Sequence, residues 1–406
     1  MKNIKVLLLA SLFCVACNHS TKKTESEDVK EIHIVKNLSD TQKVNLSTVA
    51  SSIEYCALET DVECLVVPGM PIYCAKENIV TIGNQKSNTD VCYVFERKSG
   101  KFVRQISRQG QGPGEYLFAE ASYWDGINEQ VCFFGNNQYL FFNVDGTLSH
   151  QTKRFEHYMN RFVEHRGFFV GYTPNRFGDN TVRIAFYDKA GSFVDSIPNH
   201  RTWEKTQSWS ASNTDDWLYV FQDNLYFKDL YTDTLYQVKD FKLYPRYVFN
   251  TGKRSVPYKI QEGGRFFSAE ALKTGVFEDK YEKYVVIMKI LEDDTHLYFT
   301  IEHKNLLYPA IYNKAKDQLQ VMAHVSIPPL GKDRQISLYG FENDLDGGLP
   351  FWPRQMISEK EMMCVYSAEE LLKLDASKIT DEKLKNVLNN LEKDSNPVIA
   401  IVTLKD

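Results

Sequence analysis

Short runs of apolar and aromatic residues, broken by small polar turns, recur along most of the chain. Tyr93-Val94-Phe95 turns through Lys98-Ser99-Gly100 into Phe102-Val103, and Leu140-Phe141-Phe142 turns at Asp145-Gly146 into Leu148. Ile184-Ala185-Phe186-Tyr187 turns through Lys189-Ala190-Gly191 into Phe193-Val194. Leu235-Tyr236-Gln237-Val238 turns at Lys239-Asp240 into Leu243–Phe249, and Pro309-Ala310-Ile311-Tyr312 turns through Lys314–Asp317 into Leu319–Val321. The turns recur at about 45–50 residues, the last interval being longer by about 30, which places an insertion between Gly252 and Lys283. A period of that size with several strands per unit predicts an all-β, radial fold of propeller type.

The sixth unit is interrupted. Met362–Tyr366 reads as a strand, and Ser367-Ala368-Glu369-Glu370-Leu371-Leu372 carries a capping box that opens a helix. A second helix is expected over Asp381–Leu391 with Thr380 as its cap, because Leu384, Val387, Leu388 and Leu391 share one face. A short helix is also expected at Ser268–Thr274, so helical insertions fall near 267–280 and 367–393. Pro397–Leu404 is a strongly apolar strand that needs partners on both edges. Ile32–Val35 and Ser52–Leu58 are the candidates, which would put both chain ends in one blade and close a ring of six.

Between the first two units lies Gly110-Gln111-Gly112-Pro113-Gly114-Glu115-Tyr116, preceded by Arg108. Glycine allows close backbone approach and proline fixes φ, so the stretch reads as a shaped crossover, with Glu115 and Tyr116 as its anchors. Valine at Gly112 or Gly114 is expected to destabilise this junction if either residue has φ > 0. The motif is similar to the inter-blade Gly-x-Gly-Pro-Gly-Glu-Phe of NHL-repeat propellers, with Tyr116 in place of phenylalanine. Together with Pro245-Arg246-Tyr247-Val248-Phe249 and Asn396-Pro397-Val398, it makes the chain from Ile32 to Lys405 resemble the six-bladed β-propeller lipoproteins of Bacteroidota. The resemblance implies a fold and an envelope location; it names no activity.

The N-terminus carries its own signal. Lys2 and Lys5 precede the apolar run Val6–Val15, which is too short to span a bilayer, and Ala16 then precedes Cys17. This resembles a bacterial lipobox, with Cys14 in place of the usual leucine three positions before Cys17. It implies cleavage after residue 16, a lipid on Cys17, and a membrane partner held through that anchor. Residues 17–30 are polar and read as a tether, and residues 31–406 as the propeller domain. With 23 Tyr and 25 Phe the chain has ample material for a core, and its net charge of -5 argues against a nucleic-acid partner. Cys56, Cys64, Cys74, Cys92, Cys132 and Cys364 lie mostly in apolar strand patterns and read as small buried hydrophobes. Cys56 and Cys64 are the first pair to consider for a disulfide, because a short turn around Glu59–Asp61 could bring them together.

Candidate chemistry is sparse. No Gly-x-Ser-x-Gly, no His-Glu-x-x-His and no phosphate-binding glycine loop occurs, so no catalytic residue, metal ligand or cofactor is assigned. The adjacent pairs Asp215-Asp216 and Asp293-Asp294, and Asp344 with Asp346 near Gly347-Gly348, read as turn chemistry. The crossovers are basic and aromatic, and Arg108, Arg154, His157, Arg201, Trp203 and Arg254 are candidates for lining a funnel. His157 and His200 fall in successive crossovers and could reach one rim. The expectation is a non-catalytic binding module for a glycan, peptide or envelope protein. The alternatives are a lyase or hydrolase using funnel histidines with a divalent metal, and a structural subunit of an envelope complex.

Overall fold

A computed structural model describes residues 29–67, 69–84, 90–106, 110, 112, 115, 121–135, 137–159, 161–204, 216–257, 280–327 and 337–405. The strands form six small sheets, each with a four-stranded antiparallel core, arranged as a six-bladed β-propeller. Blade 1 is β3 (Ile72–Cys74), β4 (Asn78–Asn84), β5 (Asp90–Glu96) and β6 (Phe102–Ile106). Blade 2 is β7 (Ala121–Asp125), β8 (Gln130–Gly135), β9 (Gln138–Asn143) and β10 (Leu148–Lys153). Blade 3 is β11 (Phe162–His165), β12 (Phe168–Tyr172), β13 (Val182–Tyr187) and β14 (Phe193–Pro198).

Blade 4 is β15 (Asp216–Phe221), β16 (Asn224–Asp229), β17 (Thr234–Lys239) and β18 (Lys242–Asn250), with β1 (Lys30–His33) added at its outer edge. Blade 5 is β19 (Val286–Glu292), β20 (His296–His303), β21 (Leu306–Asn313) and β22 (Gln318–Val321), with β23 (Val325–Ser326) beside β21. Blade 6 is β24 (Gln355–Ser358), β25 (Glu361–Tyr366) and β26 (Val398–Leu404), completed by β2 (Ala50–Ala57). The first strand of each blade lies innermost.

Ring closure follows the expected route. β26 pairs on one side with β25 and on the other with β2, in one register from Ala57↔Val398 to Ser52↔Thr403 and, past a bulge at Ser51, at Ala50↔Leu404. All of β26 but Thr403 is buried, which explains its unbroken run of Val, Ile and Ala. Ile32 behaves differently from the expectation. β1 pairs in parallel with β18 on blade 4, where Ile32 faces Phe249, and takes no part in the closing blade. The chain then runs along blade 5, where Gln42 bridges Met322, and past Glu342 before entering β2. Four residues with one buried side chain carry too little pattern to specify which sheet edge they join.

Between β25 and β26 sit α1 (Ala368–Leu371), with the expected capping box on Ser367 and Glu370, and α2 (Glu382–Asn389). The cap of α2 is Asp381, whose carboxylate accepts from the Leu384 amide, rather than Thr380. The helix expected at Ser268–Thr274 lies outside the described residues. All six described cysteines are buried free thiols, Cys56 and Cys64 included. Burial pushes the Cys56 thiol up to about 11 and the Cys74 thiol up to about 12, so both stay protonated and unreactive at neutral pH.

The five turn residues that mark the repeat, Gly100, Gly146, Gly191, Asp240 and Asp317, all have left-handed backbones. Each joins the third and fourth strands of its blade. In the first three blades this turn abuts the outer strand of the preceding blade: a Cβ on Gly100 would overlap the Ala57 carbonyl oxygen, and one on Gly191 would crowd Thr152 and Lys153. Gly146 differs, since its nearest neighbour is the Arg104 side chain at 3.8 Å. The pair gives an internal comparison. Gly146→Ala loses about 1 kcal/mol from backbone strain alone, and Gly100→Ala about 2–3 kcal/mol because the blade junction must also open. Urea unfolding of the two variants, compared at equal m-value, measures the difference.

Candidate functional site

The innermost strands place one residue from each blade in a single cluster at the axis. Blade 1 gives Tyr73, blade 2 Trp124, blade 4 Trp217 and blade 5 Lys289; Arg161 and Arg354 immediately precede the inner strands of blades 3 and 6. Tyr73 and Trp124 stack with centroids 6.1 Å apart. The Arg161 guanidinium lies 5.9 Å from the Trp217 ring centre, and the Trp217 indole nitrogen donates to the Ile290 carbonyl oxygen of blade 5. Blades 3 and 6 face each other across the ring, yet Arg161 and Arg354 both act electrostatically on Lys289, so all three lie on the inner side of the ring.

Local structure explains how Lys289 reaches that position. In the β19–β20 ladder Met288 opposes Thr300 and Leu291 opposes Tyr298, so Lys289 and Ile290 together oppose Phe299. This is a β-bulge, a device that re-aims a side chain. Lys289 has φ 50°, and among the described residues it is the one non-glycine left-handed residue inside a strand; the others occupy turns. Lys289 is exposed to water at its surface, yet enough protein lies around its amine for desolvation to act on it. Burial pushes its pKa down, and Arg354 and Arg161 push it further down. Burial likewise raises the Tyr73 hydroxyl, with Arg161 opposing, and raises Tyr339, with Arg354 among the opposing groups.

Neither the Lys289 nor the Arg354 side chain makes a hydrogen bond or ion pair among the described residues. Elsewhere two arginines of blades 3 and 4 are matched by carboxylates. Arg246 forms a bidentate pair with Glu292 at 2.7 and 2.8 Å, and Arg183 pairs with Asp229 at 2.5 Å. Lys289 and Arg354, two like charges without such a match among the described residues, raise the local potential and draw anions. The inner side of the ring can therefore hold an oxyanion.

The residues singled out from sequence stand elsewhere. The Arg154 guanidinium lies over the Phe134 ring at 5.6 Å. His157 Nδ1 meets the Tyr187 hydroxyl at 2.7 Å, and the same hydroxyl accepts from the His157 amide, so this histidine secures the crossover to the third strand of blade 3. Arg201 donates to the Tyr231 carbonyl oxygen at 3.2 Å; the indole of Trp203 covers Gly178, and its amide donates to the Gly178 carbonyl oxygen. The Arg254 carbonyl oxygen accepts from Val285, and its side chain is near His303. These residues are spread over three crossovers and do not form one group.

In the glycine loop, the Glu115 carboxylate accepts from the Gly112 amide at 2.8 Å, and any Cβ on Gly110 would overlap it. Gly112 is not left-handed, so the strain expected there is absent; a side chain at Gly110 would displace the Glu115 carboxylate. Pro113, Gly114, Tyr116, Arg108 and Cys17 lie outside the described residues. Asp344 accepts from the amide of distant Ser47 at 2.9 Å and so ties the segment before β2 to its own loop, whereas Asp346 accepts from the Gly348 amide at 2.8 Å as a turn residue does. Asp293 accepts from the Thr295 and His296 amides in the same manner. Among the described residues no group of three or more His, Cys, Asp or Glu is placed to hold a metal ion.

The axial cluster was beyond sequence reading because Arg161, Lys289 and Arg354 are isolated in the chain. The one available signal was an arginine directly before the inner strand in two blades, legible only once blade boundaries are known.

A search among curated proteins finds no match. The chain is similar in fold to a protein from Bacteroides fragilis NCTC 9343 that carries the name of an exported protein. The identity is 16%, the alignment covers 93% of this chain and 100% of that one, and the TM-score is 0.62. It is also similar to a member of the duf4221 family from Bacteroides vulgatus ATCC 8482, at 10% identity over 88% of this chain and 97% of that one, with a TM-score of 0.50. At such identities the likeness is one of fold. Family membership rests on a match across residues 29–403: the chain belongs to the family described as Domain of unknown function (DUF4934).

Proposed function

We propose that this chain is a lipid-anchored envelope protein, held through Cys17 and the tether that follows, whose propeller is a non-catalytic receptor for an anionic ligand. The ligand enters the axial shaft and its charge meets Arg161, Lys289 and Arg354. An acidic glycan or peptide, or an acidic segment of an envelope partner, has the required chemistry. One observation carries this reading: two cations without partners among the described residues, Lys289 and Arg354, lie close enough to repel each other, with Arg161 beside them. Arginine forks match planar oxyanions, and the partly enclosed site keeps water from screening the attraction fully. The lipobox-like Ala16-Cys17 and the NHL-like crossover support the envelope assignment, and among the described residues no helix is long and apolar enough to cross a membrane.

The test is calorimetric titration of the chain in mild detergent with acidic and neutral oligosaccharides and peptides of equal length. Acidic ligands bind and neutral ones do not, and affinity falls as salt rises. Arg161→Gln and Arg354→Gln each weaken binding at least tenfold without moving Tm. Turnover of the ligand, or affinity unchanged in both variants, would overturn the proposal.

A further inference from the structure

We infer that one end of blades 4 and 5 rests on the membrane that holds the lipid, where its basic side chains meet anionic phospholipid headgroups. This step rests on the reading of Cys17 as a lipid anchor.

Stretches far apart in sequence meet at that end. β1 closes against β18 with His33 beside Asn250, and the Ile34 amide then donates to the Asn250 carbonyl oxygen at 3.0 Å. The chain turns there, since the Asn37 amide donates to the Ile34 carbonyl oxygen, and Val35 lies 3.9 Å from where a Cβ on Gly252 would stand. The next residue, Lys36, is thereby set beside Lys253 and Arg254. The Arg254 carbonyl oxygen accepts from the Val285 amide at 2.9 Å, and the Glu282 carbonyl oxygen accepts from the Lys304 amide at 2.9 Å, in the turn between β20 and β21. Backbone hydrogen bonds thus bring Lys36, Lys253, Arg254, Lys283 and Lys304 to one surface, and all five are exposed.

Their charge has little to oppose it. None of the five side chains makes an ion pair or hydrogen bond among the described residues; Lys283 lies over the Tyr284 ring at 5.2 Å. Lys43 and Lys189, exposed elsewhere, each pair with a glutamate. Within residues 31–37, 250–256, 280–285 and 302–305 the exposed carboxylates are Glu31 and Glu282, and Glu31 already accepts from Asn250. A local excess of cations on a chain of net charge -5 draws an anionic partner to that end rather than to the protein at large.

Position selects the partner. The tether ends at Lys30, where β1 begins on the outer edge of blade 4, three residues before His33. From Cys17 to Lys30 the chain spans at most about 45 Å, so the anchor keeps this edge of the propeller nearest to the bilayer. Contacts made after anchoring are intramolecular, and a few unpaired lysines then suffice to set which way the domain lies.

The test uses the acylated chain in phosphatidylcholine vesicles with or without phosphatidylglycerol. A dye is placed on Glu282→Cys, beside the patch, or on Lys316→Cys, in the turn at the other end of blade 5; the six buried thiols do not compete for it. Energy transfer to a headgroup acceptor is read. With phosphatidylglycerol, transfer from position 282 exceeds that from position 316 at least twofold. The difference vanishes in phosphatidylcholine alone, at high salt, and when Lys253→Gln, Arg254→Gln and Lys304→Gln are combined, a variant whose Tm stays at that of wild type. Equal transfer from both positions in every vesicle, or a difference that survives the triple variant, overturns the inference while leaving the anchor in place. So does a patch that ignores phosphatidylglycerol but is covered on addition of polyglutamate, which would assign it to an acidic protein segment. A chain without an acyl group by mass spectrometry, or one that floats with neither vesicle, would instead remove the anchor, and this inference with it.

Discussion

Glu292→Ala lowers the unfolding free energy by about 3–5 kcal/mol, with Tm falling by roughly 4–8 °C. Glu292 ends the inner strand of blade 5 with its side chain fully buried. Both carboxylate oxygens receive the Arg246 guanidinium of blade 4, Lys314 approaches to 2.6 Å, and the Tyr219 hydroxyl donates at 2.8 Å. Arg246 is further packed against Tyr226, 4.2 Å from its ring centre. Burial pulls the Arg246 pKa down, and the Glu292 carboxylate more than restores it. Removing the carboxylate leaves Arg246 and the Tyr219 hydroxyl without their acceptor and Lys314 with only the Asp293 carbonyl oxygen, and that uncompensated charge is what destabilises. A second variant separates this from lost packing: Glu292→Met combined with Arg246→Met and Lys314→Met removes all three charges and recovers most of the loss. Thermal unfolding followed by circular dichroism reads both. A triple variant no more stable than the single one would show that the network contributes through packing.

The repeat was legible because its cause is local. A left-handed turn between the third and fourth strands must take glycine or a tolerant aspartate, and Gly100, Gly146, Gly191, Asp240 and Asp317 mark it in five blades. Apolar runs such as Val131–Phe134 identify second and third strands, which are buried on both faces between blades. The fold class and the closing role of Pro397–Leu404 followed from those two signals. Inner and outer strands were harder to read. β11 is half-buried throughout, and β14 has a single buried residue, so neither shows the alternation that sets a strand's boundaries.

Function was less legible for a geometric reason. Basic residues abound in the crossovers, but a crossover side chain has several neighbours available before the axis. Arg154 finds a phenylalanine ring, Arg201 a carbonyl oxygen and His157 a tyrosine hydroxyl. Axial residues are instead fixed by strand order and by one bulge. Lys289 lies in Met288-Lys289-Ile290, a stretch that reads as strand with a solvent-facing lysine; nothing in it announces that the backbone turns left-handed there.

A chain beginning at Leu58 fails to give a soluble folded protein, whereas one beginning at Asn37 folds with a lowered Tm. The two truncations remove different sheet edges. Loss of β1 strips Ile32 and Ile34 from blade 4, both essentially inaccessible, and uncovers the outer edge of β18. At about 1.5–3 kcal/mol for each fully buried isoleucine, that loss is tolerable in a domain with a closed ring. Loss of β2 removes an eight-residue strand registered along the whole of β26. Val398-Ile399-Ala400-Ile401-Val402-Thr403-Leu404 then becomes an exposed, flat, apolar edge with no charge or proline to blunt it, a template for association between chains. The same deletion takes Cys56 from the core between blades 6 and 1, where it packs with Ile399 and Ile401, so the ring opens at that junction. Size-exclusion chromatography with circular dichroism distinguishes the outcomes. A monomeric, cooperatively unfolding chain that begins at Leu58 would mean that the ring holds without its closing strand, and that the N-terminal segment serves some purpose other than fastening it.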